Sequence, residues 1–323
     1  MRDVITFGSA TWDIFIRDEE ILSDQDKKSP TGKRIYLPLG SKIEIDELRF
    51  SIGGGGTNAL ATFLSRGFKA AYCGSVGDDP IGEEIIADLK ARGADVSLIS
   101  KIKNKSSNLS LVLSVPGKDR TILAYRGASE ELLVKDLLGK KTLAPYFYIA
   151  PLSGKLAESF AYIVDFAFEN KIRVAVNLGQ DQLKIPLNKL KKILSKTEIL
   201  ILNQEESSIL TGIPYSKERD IFNKVSSFYS GIFVMTKGSR GVSVFDGQRR
   251  YEAGIIKSKI VDRTGAGDSF GSGFVSAIMD GQDVKTAIQF ATANATSCLK
   301  EWGAKNGLIK KGEGYRKVKV DVK

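Results

Sequence analysis

Histidine is absent from the 323-residue sequence. Its absence excludes Ser-His-Asp triads, Cys-His dyads and most zinc sites, because each of these needs an imidazole. Any acid–base chemistry must therefore come from carboxylates, lysine or tyrosine. Cysteine is scarce as well. Cys73 and Cys298 lie far apart in apolar stretches, which predicts buried free thiols rather than a disulfide or a metal-binding pair.

Long apolar segments are also missing. No run reaches the roughly 18 apolar residues that a transmembrane helix requires, so we expect no membrane partner. Residues 1–8 enter a strand-like segment directly, without the charged and apolar regions of a signal peptide. We therefore expect a cytoplasmic protein.

The charge is unbalanced, with 48 basic and 38 acidic residues and a formal net charge of +10. A basic protein can bind nucleic acid. Here, however, the lysines are spread along the chain, and part of the excess lies in residues 310–319. We therefore expect no nucleic-acid partner. Attraction of anionic phosphate substrates and a solvated basic surface are both open explanations of the charge.

Short apolar runs alternate with longer amphipathic ones along most of the chain. Most of the short runs are continuously apolar, as in strands that are covered on both faces. Their alternation predicts an α/β fold with a mostly parallel sheet between helical layers, in which ligands bind at the carboxyl ends of the strands. The predicted strands are Val4–Ser9, Ala70–Val76, Tyr146–Pro151, Ile172–Leu178, Glu198–Asn203 and Ile232–Lys237. The predicted helices are Thr57–Arg66, Ile81–Ala91, Lys155–Asn170, Leu187–Leu194, Glu205–Leu210 and Lys217–Tyr229.

Two regions interrupt this rhythm. Residues 14–52 contain alternating stretches and turn residues, and residues 108–126 have the pattern of a hairpin with its turn at 116–119. Together they predict a small β-sheet lid inserted in a single domain of residues 1–323. An exposed apolar face on this lid would cover a site or form a dimer surface.

The segment Asp262–Gly271 carries the strongest chemical signal. Its small residues form a turn ahead of a helix predicted from Ala266 to Met279. Unpaired N–H groups at the positive end of such a helix form an anion hole. Asp268 is placed there to take a proton from a hydroxyl that attacks a bound phosphate. The structural alternative is a glycine-rich turn with an acidic helix cap.

A second glycine-rich segment, Gly53–Gly56, precedes another predicted helix and places Asn58 in its first turn. Glycines allow the backbone to approach a hydroxylated ligand closely, and Asn58 could donate and accept hydrogen bonds with that ligand. A flexible hinge between lid and body is the alternative interpretation.

The two motifs together resemble the signature regions of the ribokinase-like (PfkB) carbohydrate kinases. Matches continue in the same order over about residues 4–300, at Gly8–Asp13, Gly74–Asp79 with Gly82, Asn203–Glu206 and Thr236–Gly241. The resemblance implies a three-layer α/β/α sandwich and ATP-dependent phosphorylation of a hydroxyl on a sugar or sugar-like molecule. It implies ATP and Mg²⁺ as cofactors, leaves K⁺ open as a third, and is consistent with a homodimer through the lid.

The resemblance also implies roles for individual residues. The catalytic turn would be Gly265, Ala266, Gly267 and Asp268, and the acceptor would contact Asp13, Gly54, Gly55, Asn58 and Asp268. The nucleotide would contact Asn203, Thr236, Gly238, Gly241 and Asn294. Glu206 would bind Mg²⁺ through water molecules, and Asp262 and Thr264 would hold a monovalent cation.

Several of these residues have plain structural alternatives. Asn203 and Glu206 have the spacing of a helix cap, Asp13 could be a solvated turn residue, and Asn294 could pack a helix. The glycines at 238 and 241 could form only a hairpin turn. Arg263 stands where the family often has threonine, and it could contact a substrate anion or point into solvent.

Other functions are weighed against this one. A nucleoside kinase of the same family stays open, because the sequence does not define the acceptor. A non-catalytic sugar- or nucleotide-binding protein is disfavoured by the presence of Asp268. A dinucleotide-dependent oxidoreductase is disfavoured because Gly8-Ser9-Ala10-Thr11 does not match the motif Gly-x-Gly-x-x-Gly. A P-loop kinase is disfavoured because Gly139-Lys140 is followed by Lys141, where the motif needs serine or threonine.

Overall fold

The computed structural model describes residues 1–17, 22–25, 33–114, 120–132, 134, 138–139 and 142–323. The strands in this part of the chain are β1 (Val4–Phe7), β2 (Thr11–Arg17), β3 (Leu22–Gln25), β4 (Lys33–Tyr36), β5 (Glu47–Gly53), β6 (Ala70–Gly77), β7 (Ile99–Ile102), β8 (Asn108–Ser114), β9 (Arg120–Tyr125), β10 (Tyr146–Ile149), β11 (Arg173–Asn177), β12 (Ile199–Asn203), β13 (Ile232–Thr236), β14 (Val242–Phe245), β15 (Arg250–Ala253) and β16 (Val320–Val322).

The helices in the same part of the chain are α1 (Gly55–Ser65), α2 (Pro80–Ala91), α3 (Gly154–Glu158), α4 (Phe160–Glu169), α5 (Gln180–Leu183), α6 (Leu187–Leu194), α7 (Gln204–Thr211), α8 (Glu218–Ser226), α9 (Ala266–Met279) and α10 (Val284–Cys298). Within the described ranges, none of these helices has the length and apolar character needed to cross a bilayer.

The main sheet has the strand order β16-β15-β14-β13-β12-β11-β10-β1-β6-β7. Neighbouring strands from β13 to β7 in this order are parallel, and β14, β15 and β16 add an antiparallel edge. The prediction of a mostly parallel sheet is confirmed. The antiparallel edge was not foreseen, since its strands are only three or four residues long.

Apolar residues on the two faces of this sheet pack into two separate cores. On β10, Tyr146 and Tyr148 enter one core, whereas Phe147 and Ile149 enter the other. The first core lies under α1, α2, α9 and α10, and the second under α4, α6, α7 and α8. This two-sided burial explains the continuously apolar strands and confirms the three-layer α/β/α arrangement.

The two irregular regions of the sequence supply a smaller sheet with the strand order β5-β2-β8-β9. β2 pairs with β5 in antiparallel and with β8 in parallel orientation, and β8 pairs with β9 as a hairpin. β3 and β4 form a separate pair. The hairpin turn predicted at 116–119, and residues 18–21 and 26–32 of the predicted lid, lie outside the described residues.

One predicted helix differs in the structure. The segment expected as a continuous helix, Lys155–Asn170, is divided into α3 and α4 at Ser159. The Ser159 hydroxyl donates a hydrogen bond to the Lys155 carbonyl and accepts one from the backbone N–H of Val134. A serine that bonds in this way competes with the helical backbone pattern, which accounts for the break.

Candidate active site

Two helix N-termini meet at the carboxyl edge of the main sheet. α1 is preceded by Gly54 with φ 96°, and α9 by Gly265 with φ 75°. A Cβ atom on Gly54 would lie 2.4 Å from the Ser9 carbonyl oxygen, and one on Gly265 would lie 2.1 Å from the Ala304 Cβ. Both turns therefore require glycine for its positive φ and for the close packing of the chain behind it.

A hydrogen bond joins the two helices. The Asn58 amide nitrogen donates to the Asp268 carboxylate over 2.8 Å. Asn58 is buried, and its Oδ1 atom has no hydrogen-bond partner among the described residues. A buried amide oxygen without a donor is costly, and a ligand hydroxyl at this position would satisfy it. The predicted catalytic aspartate and the predicted acceptor-binding asparagine thus lie side by side.

The environment of Asp268 raises the pKa of its carboxyl group toward neutral pH. Burial raises the pKa of the Asp268 carboxyl to about 6, while the hydrogen bond from Asn58 acts in the opposite direction. A carboxylate with such a pKa is ionised at pH 7 and still basic enough to accept a proton from a reacting hydroxyl. Its position and its pKa therefore both suit a general base.

The first turn of α9 leaves room for an anion. The opening N–H groups of an α-helix have no partners within the helix, and here they belong to Ala266, Gly267 and Asp268. A Cβ atom built on Gly267 would have no heavy-atom neighbour within 4 Å in the described structure. Open space in front of a positive helix end is the environment that phosphate oxygens prefer.

Asp13 lies on β2 of the smaller sheet, and the structure shows that it is buried. Its carboxylate accepts a hydrogen bond from the Ser110 hydroxyl, and a Cβ atom on Gly53 would lie 2.0 Å from Oδ2. Burial raises the pKa of Asp13 to about 6, against the Ser110 hydrogen bond and the positive charge of Lys305. The solvated-turn alternative for Asp13 is therefore wrong.

At the end of β12, Asn203 and Glu206 form a reciprocal helix cap. The Glu206 backbone N–H donates to Asn203 Oδ1 over 2.8 Å, and the Asn203 backbone N–H donates to Glu206 Oε2 over 2.7 Å. The capping interpretation is thus confirmed, and the predicted metal role stays a prediction. Burial raises the pKa of Glu206 to about 7, although the Asn203 N–H lowers it.

Thr236 ends β13 and pairs with Asn203 on the neighbouring strand, which brings two predicted nucleotide contacts together. The loop that follows turns at Gly238 (φ 58°) and Gly241 (φ 89°) and leads into β14. Lys237 anchors this loop, because its Nζ lies 3.0 Å from Glu218 and 2.9 Å from Glu252. Sequence reasoning missed this anchor, since its partners are distant in the chain.

Asp262 braces the turn that precedes α9. Its Oδ1 accepts hydrogen bonds from the Thr264 N–H and hydroxyl, at 2.9 and 2.8 Å, and its Oδ2 accepts one from the Gly303 N–H at 3.1 Å. Arg263, between them, is exposed. The described ranges contain no group of three or more acidic or cysteine side chains that could hold a metal ion.

Asn294 lies on α10 and is fully buried. Its side-chain nitrogen donates to the Ser269 carbonyl over 2.9 Å, and its oxygen accepts from the Ile309 N–H over 3.0 Å. Because both ends of the amide are bonded to the protein, this geometry favours the helix-packing interpretation of Asn294. It ties α10 to α9 just behind the anion hole.

Solved structures with the same arrangement define the class of the fold. A nucleoside kinase from Methanocaldococcus jannaschii, an archaeal member of the ribokinase family, superposes with a TM-score of 0.78 at 21% identity, covering 95% of each chain. A ribokinase from Arabidopsis thaliana, solved with ribose and ATP, also gives a TM-score of 0.78, at 20% identity and with 96% of each chain covered. The chain therefore has the ribokinase fold.

Sequence comparison defines the family. The model of the pfkB family of carbohydrate kinases matches residues 1–311. A ribokinase from Haemophilus influenzae is 26% identical over 285 residues, which are 84% of this chain and 89% of the relative. The chain belongs to the pfkB family of carbohydrate kinases, and the resemblance seen in its motifs is confirmed.

Proposed function

We propose that the protein transfers the terminal phosphoryl group of ATP to a hydroxyl of a sugar or sugar-like molecule. The observation that carries this proposal is the placement of Asp268. Its carboxylate lies beside Asn58, whose Oδ1 lacks a protein donor in the described structure, and at the first turn of α9, where Gly267 faces open space. A hydroxyl bound to Asn58 would thus meet a base and an anion hole together.

The protein's part in such a transfer is mostly positioning and charge neutralisation. Asp13 and Asn58 bind acceptor hydroxyls, and Asp268 takes the proton of the attacking one. The N–H groups of Ala266 and Gly267 stabilise charge on the phosphoryl oxygens. The smaller sheet excludes water, which limits wasteful hydrolysis of ATP.

The nucleotide is assigned to the neighbouring strand ends. Thr236, Gly238 and Gly241 flank the path of its phosphates, and Asn203 lies beside Thr236. In the family ribokinase solved with ATP, the same fold binds this nucleotide.

The donor groups present fit the implied cations. Glu206 uses only Oε2 in its helix cap, so Oε1 is available to order the water shell of Mg²⁺, which neutralises phosphate charge when bound. Asp262 and Thr264 are the proposed K⁺ ligands. Beside its hydroxyl, Thr264 offers a backbone carbonyl oxygen, a type of ligand that K⁺ uses.

A nucleoside is the second candidate acceptor, because the nucleoside kinase superposes as well as the ribokinase does. One experiment tests both. Purified protein is incubated with ATP and Mg²⁺ against sugars, sugar phosphates and nucleosides, and ADP release is measured for the wild type and Asp268→Asn. Turnover of one acceptor by the wild type alone supports the proposal and names the substrate. ADP release no higher than in the variant, for every acceptor, would favour a binding protein.

We also propose a homodimer through the smaller sheet. Its edge strands β5 and β9 carry five apolar side chains that are each at least 48% exposed: Leu48, Phe50, Ile122, Leu123 and Tyr125. Light scattering after size exclusion should give the dimer mass, and Phe50→Lys should give a monomer. Phe168→Lys, an equally exposed phenylalanine on α4, is the matched control. A wild-type monomer at micromolar concentration would contradict the proposal.

The two buried cysteines are free thiols, as predicted. Free thiols are typical of reducing compartments, which supports the further proposal that the enzyme acts in the cytoplasm. Fractionation of the source cells with an antibody would test this location.

A further inference from the structure

A buried lysine lies close to the proposed acceptor site. Lys305 has a side chain that is 2% exposed. Its Nζ has no partner within normal hydrogen-bonding distance among the described residues. The ion pair that it forms is long, at 3.7 Å to Asp88 Oδ2, and Asp88 already accepts two hydrogen bonds of 3.0 Å from Arg92. A buried ammonium with such weak compensation costs folding free energy. The long ion pair with Asp88 therefore does not explain why a lysine is buried at position 305.

The loop that carries Lys305 packs against the strands of the acceptor side. Trp302 contacts Phe15 of β2, with ring centroids 5.9 Å apart. A Cβ atom on Gly303 would lie 2.5 Å from the Ser51 hydroxyl of β5. β2 also carries Asp13, and β5 ends at Gly53, whose backbone touches the Asp13 carboxylate. The loop thus holds the buried Lys305 next to the two strands that surround the Asp13 carboxylate.

The charges around Asp13 would otherwise disfavour its ionised form. Burial raises the pKa of Asp13, and the negative charges of Asp262 and Asp268 raise it further. The Ser110 hydroxyl and the positive charge of Lys305 lower it. Lys305 itself faces Asp88, Asp13 and Arg92, and burial lowers its pKa to about 7. Lys305 is therefore a buried cation whose positive charge acts on two carboxylates, Asp13 and Asp88.

We propose that Lys305 is a positioning residue of the acceptor site, which balances the charge of Asp13 and so keeps its carboxylate available to accept hydrogen bonds from acceptor hydroxyls. This inference rests on the proposed function for its kinetic consequence. Its electrostatic consequence can be measured without any turnover. Hydrogen bonds to a charged acceptor are stronger than those to a neutral one, so the loss of Lys305 weakens acceptor binding rather than phosphoryl transfer.

The direct test is the titration of Asp13 in Lys305→Met, which keeps most of the length of the side chain and removes its charge. Carboxyl ¹³C resonances are followed against pH, and the signal of Asp13 is identified by its loss in Asp13→Asn. The pKa of Asp13 should rise by about one unit in Lys305→Met. It should be unchanged in Lys300→Met, the same substitution at an exposed lysine nearby. An unchanged pKa of Asp13 in Lys305→Met overturns the inference, whether or not the enzyme is active.

The kinetic test uses the acceptor found in the ADP-release panel. At pH 6.5, Lys305→Met should raise the KM for the acceptor about threefold, because a rise of the Asp13 pKa from about 6 to about 7 lowers its ionised fraction from roughly three quarters to roughly one quarter. The kcat and the KM for ATP should stay close to wild type. The acid limb of kcat/KM should move to higher pH. In an Asp13→Asn background the substitution should have no further effect, because the two residues act as one unit.

Other outcomes separate the hypotheses. The alternative outcome is that Lys305→Met only lowers the Tm, leaves the acid limb of the kcat/KM profile in place and adds its effect to that of Asp13→Asn. Those results would mean that Lys305 has a purely structural role, and they would refute the inference. If the Met variant does not fold, Lys305→Gln carries the same tests. A wild type that turns over no acceptor refutes the proposed function, while the titration of Asp13 still decides the role of Lys305.

Discussion

The sharpest consequence of the site concerns the replacement Asp268→Asn. The amide keeps the size of the carboxylate, and its oxygen can still accept the 2.8 Å hydrogen bond from Asn58, so the geometry of the two helix ends should persist. The base is lost. Removal of a general base typically slows the chemical step by about 10²- to 10⁴-fold, and we expect kcat to fall within that range. Nucleotide affinity should change little, because the N–H groups of α9 remain in place.

The same variant should be more stable than the wild type at pH 7. Burial raises the pKa of Asp268 from 3.8 to about 6, so the folded state binds its proton more tightly than the unfolded state does. This carboxyl therefore costs stability progressively as pH rises from about 4 to about 6. The full cost is at most about 3 kcal/mol. Since solvent reaches this half-buried group, we expect about 1–2 kcal/mol.

Two measurements check this reasoning. ADP release with the identified acceptor gives kcat, and calorimetric unfolding at pH 7 and pH 4 gives the difference in Tm between variant and wild type. We expect the variant to melt roughly 2–4 °C higher at pH 7 and the difference to vanish at pH 4. A kcat within tenfold of wild type would refute the role of Asp268 as a base. Equal Tm values at pH 7 would refute the buried charge.

Two further predictions follow from the site. The rate of ADP release should fall at acid pH with an apparent pKa near 6. Burial raises the pKa of both Asp268 and Asp13 to about 6, and the proposed reaction needs both carboxylates ionised. A rate that stays constant down to pH 5 would contradict this prediction. Gly265→Ala should lose most activity and lower the Tm, because its φ of 75° and a contact of 2.1 Å with Ala304 Cβ exclude a side chain. Gly281→Ala, also at positive φ (76°) but with open space around it, is the control that isolates the clash.

Much of the fold could be predicted from the sequence, because the parallel strands are buried on both faces. β10, for example, is buried at every position, and a continuously apolar run of that kind is distinctive. The edge strands β14 and β15 were not predicted. They are four residues long, and their pairing depends on chain reversals rather than on apolar periodicity.

The geometry of the candidate site was predictable where it depends on local backbone conformation. Gly54 and Gly265 take positive φ in turns that only a few residue types allow, and the helices behind them have clear apolar periodicity. Lys305 was not predictable. A lysine in a loop gives no local sign of burial, and its neighbours Asp13 and Asp88 come from distant parts of the chain. Long-range electrostatics of this kind appears only once the fold has brought the residues together.

One turn of the chain links two carboxylates of the candidate site, Asp13 and Asp268. β5 ends at Gly53, which touches the Asp13 carboxylate, and α1 begins two residues later and carries Asn58, which bonds Asp268. A single segment of six residues therefore connects the proposed hydroxyl-binding carboxylate to the proposed base. Gly54, at φ 96°, sets the direction of the chain between them. A change of conformation at this residue would displace both contacts at once, so under the proposed function acceptor binding and proton transfer would depend on the same turn.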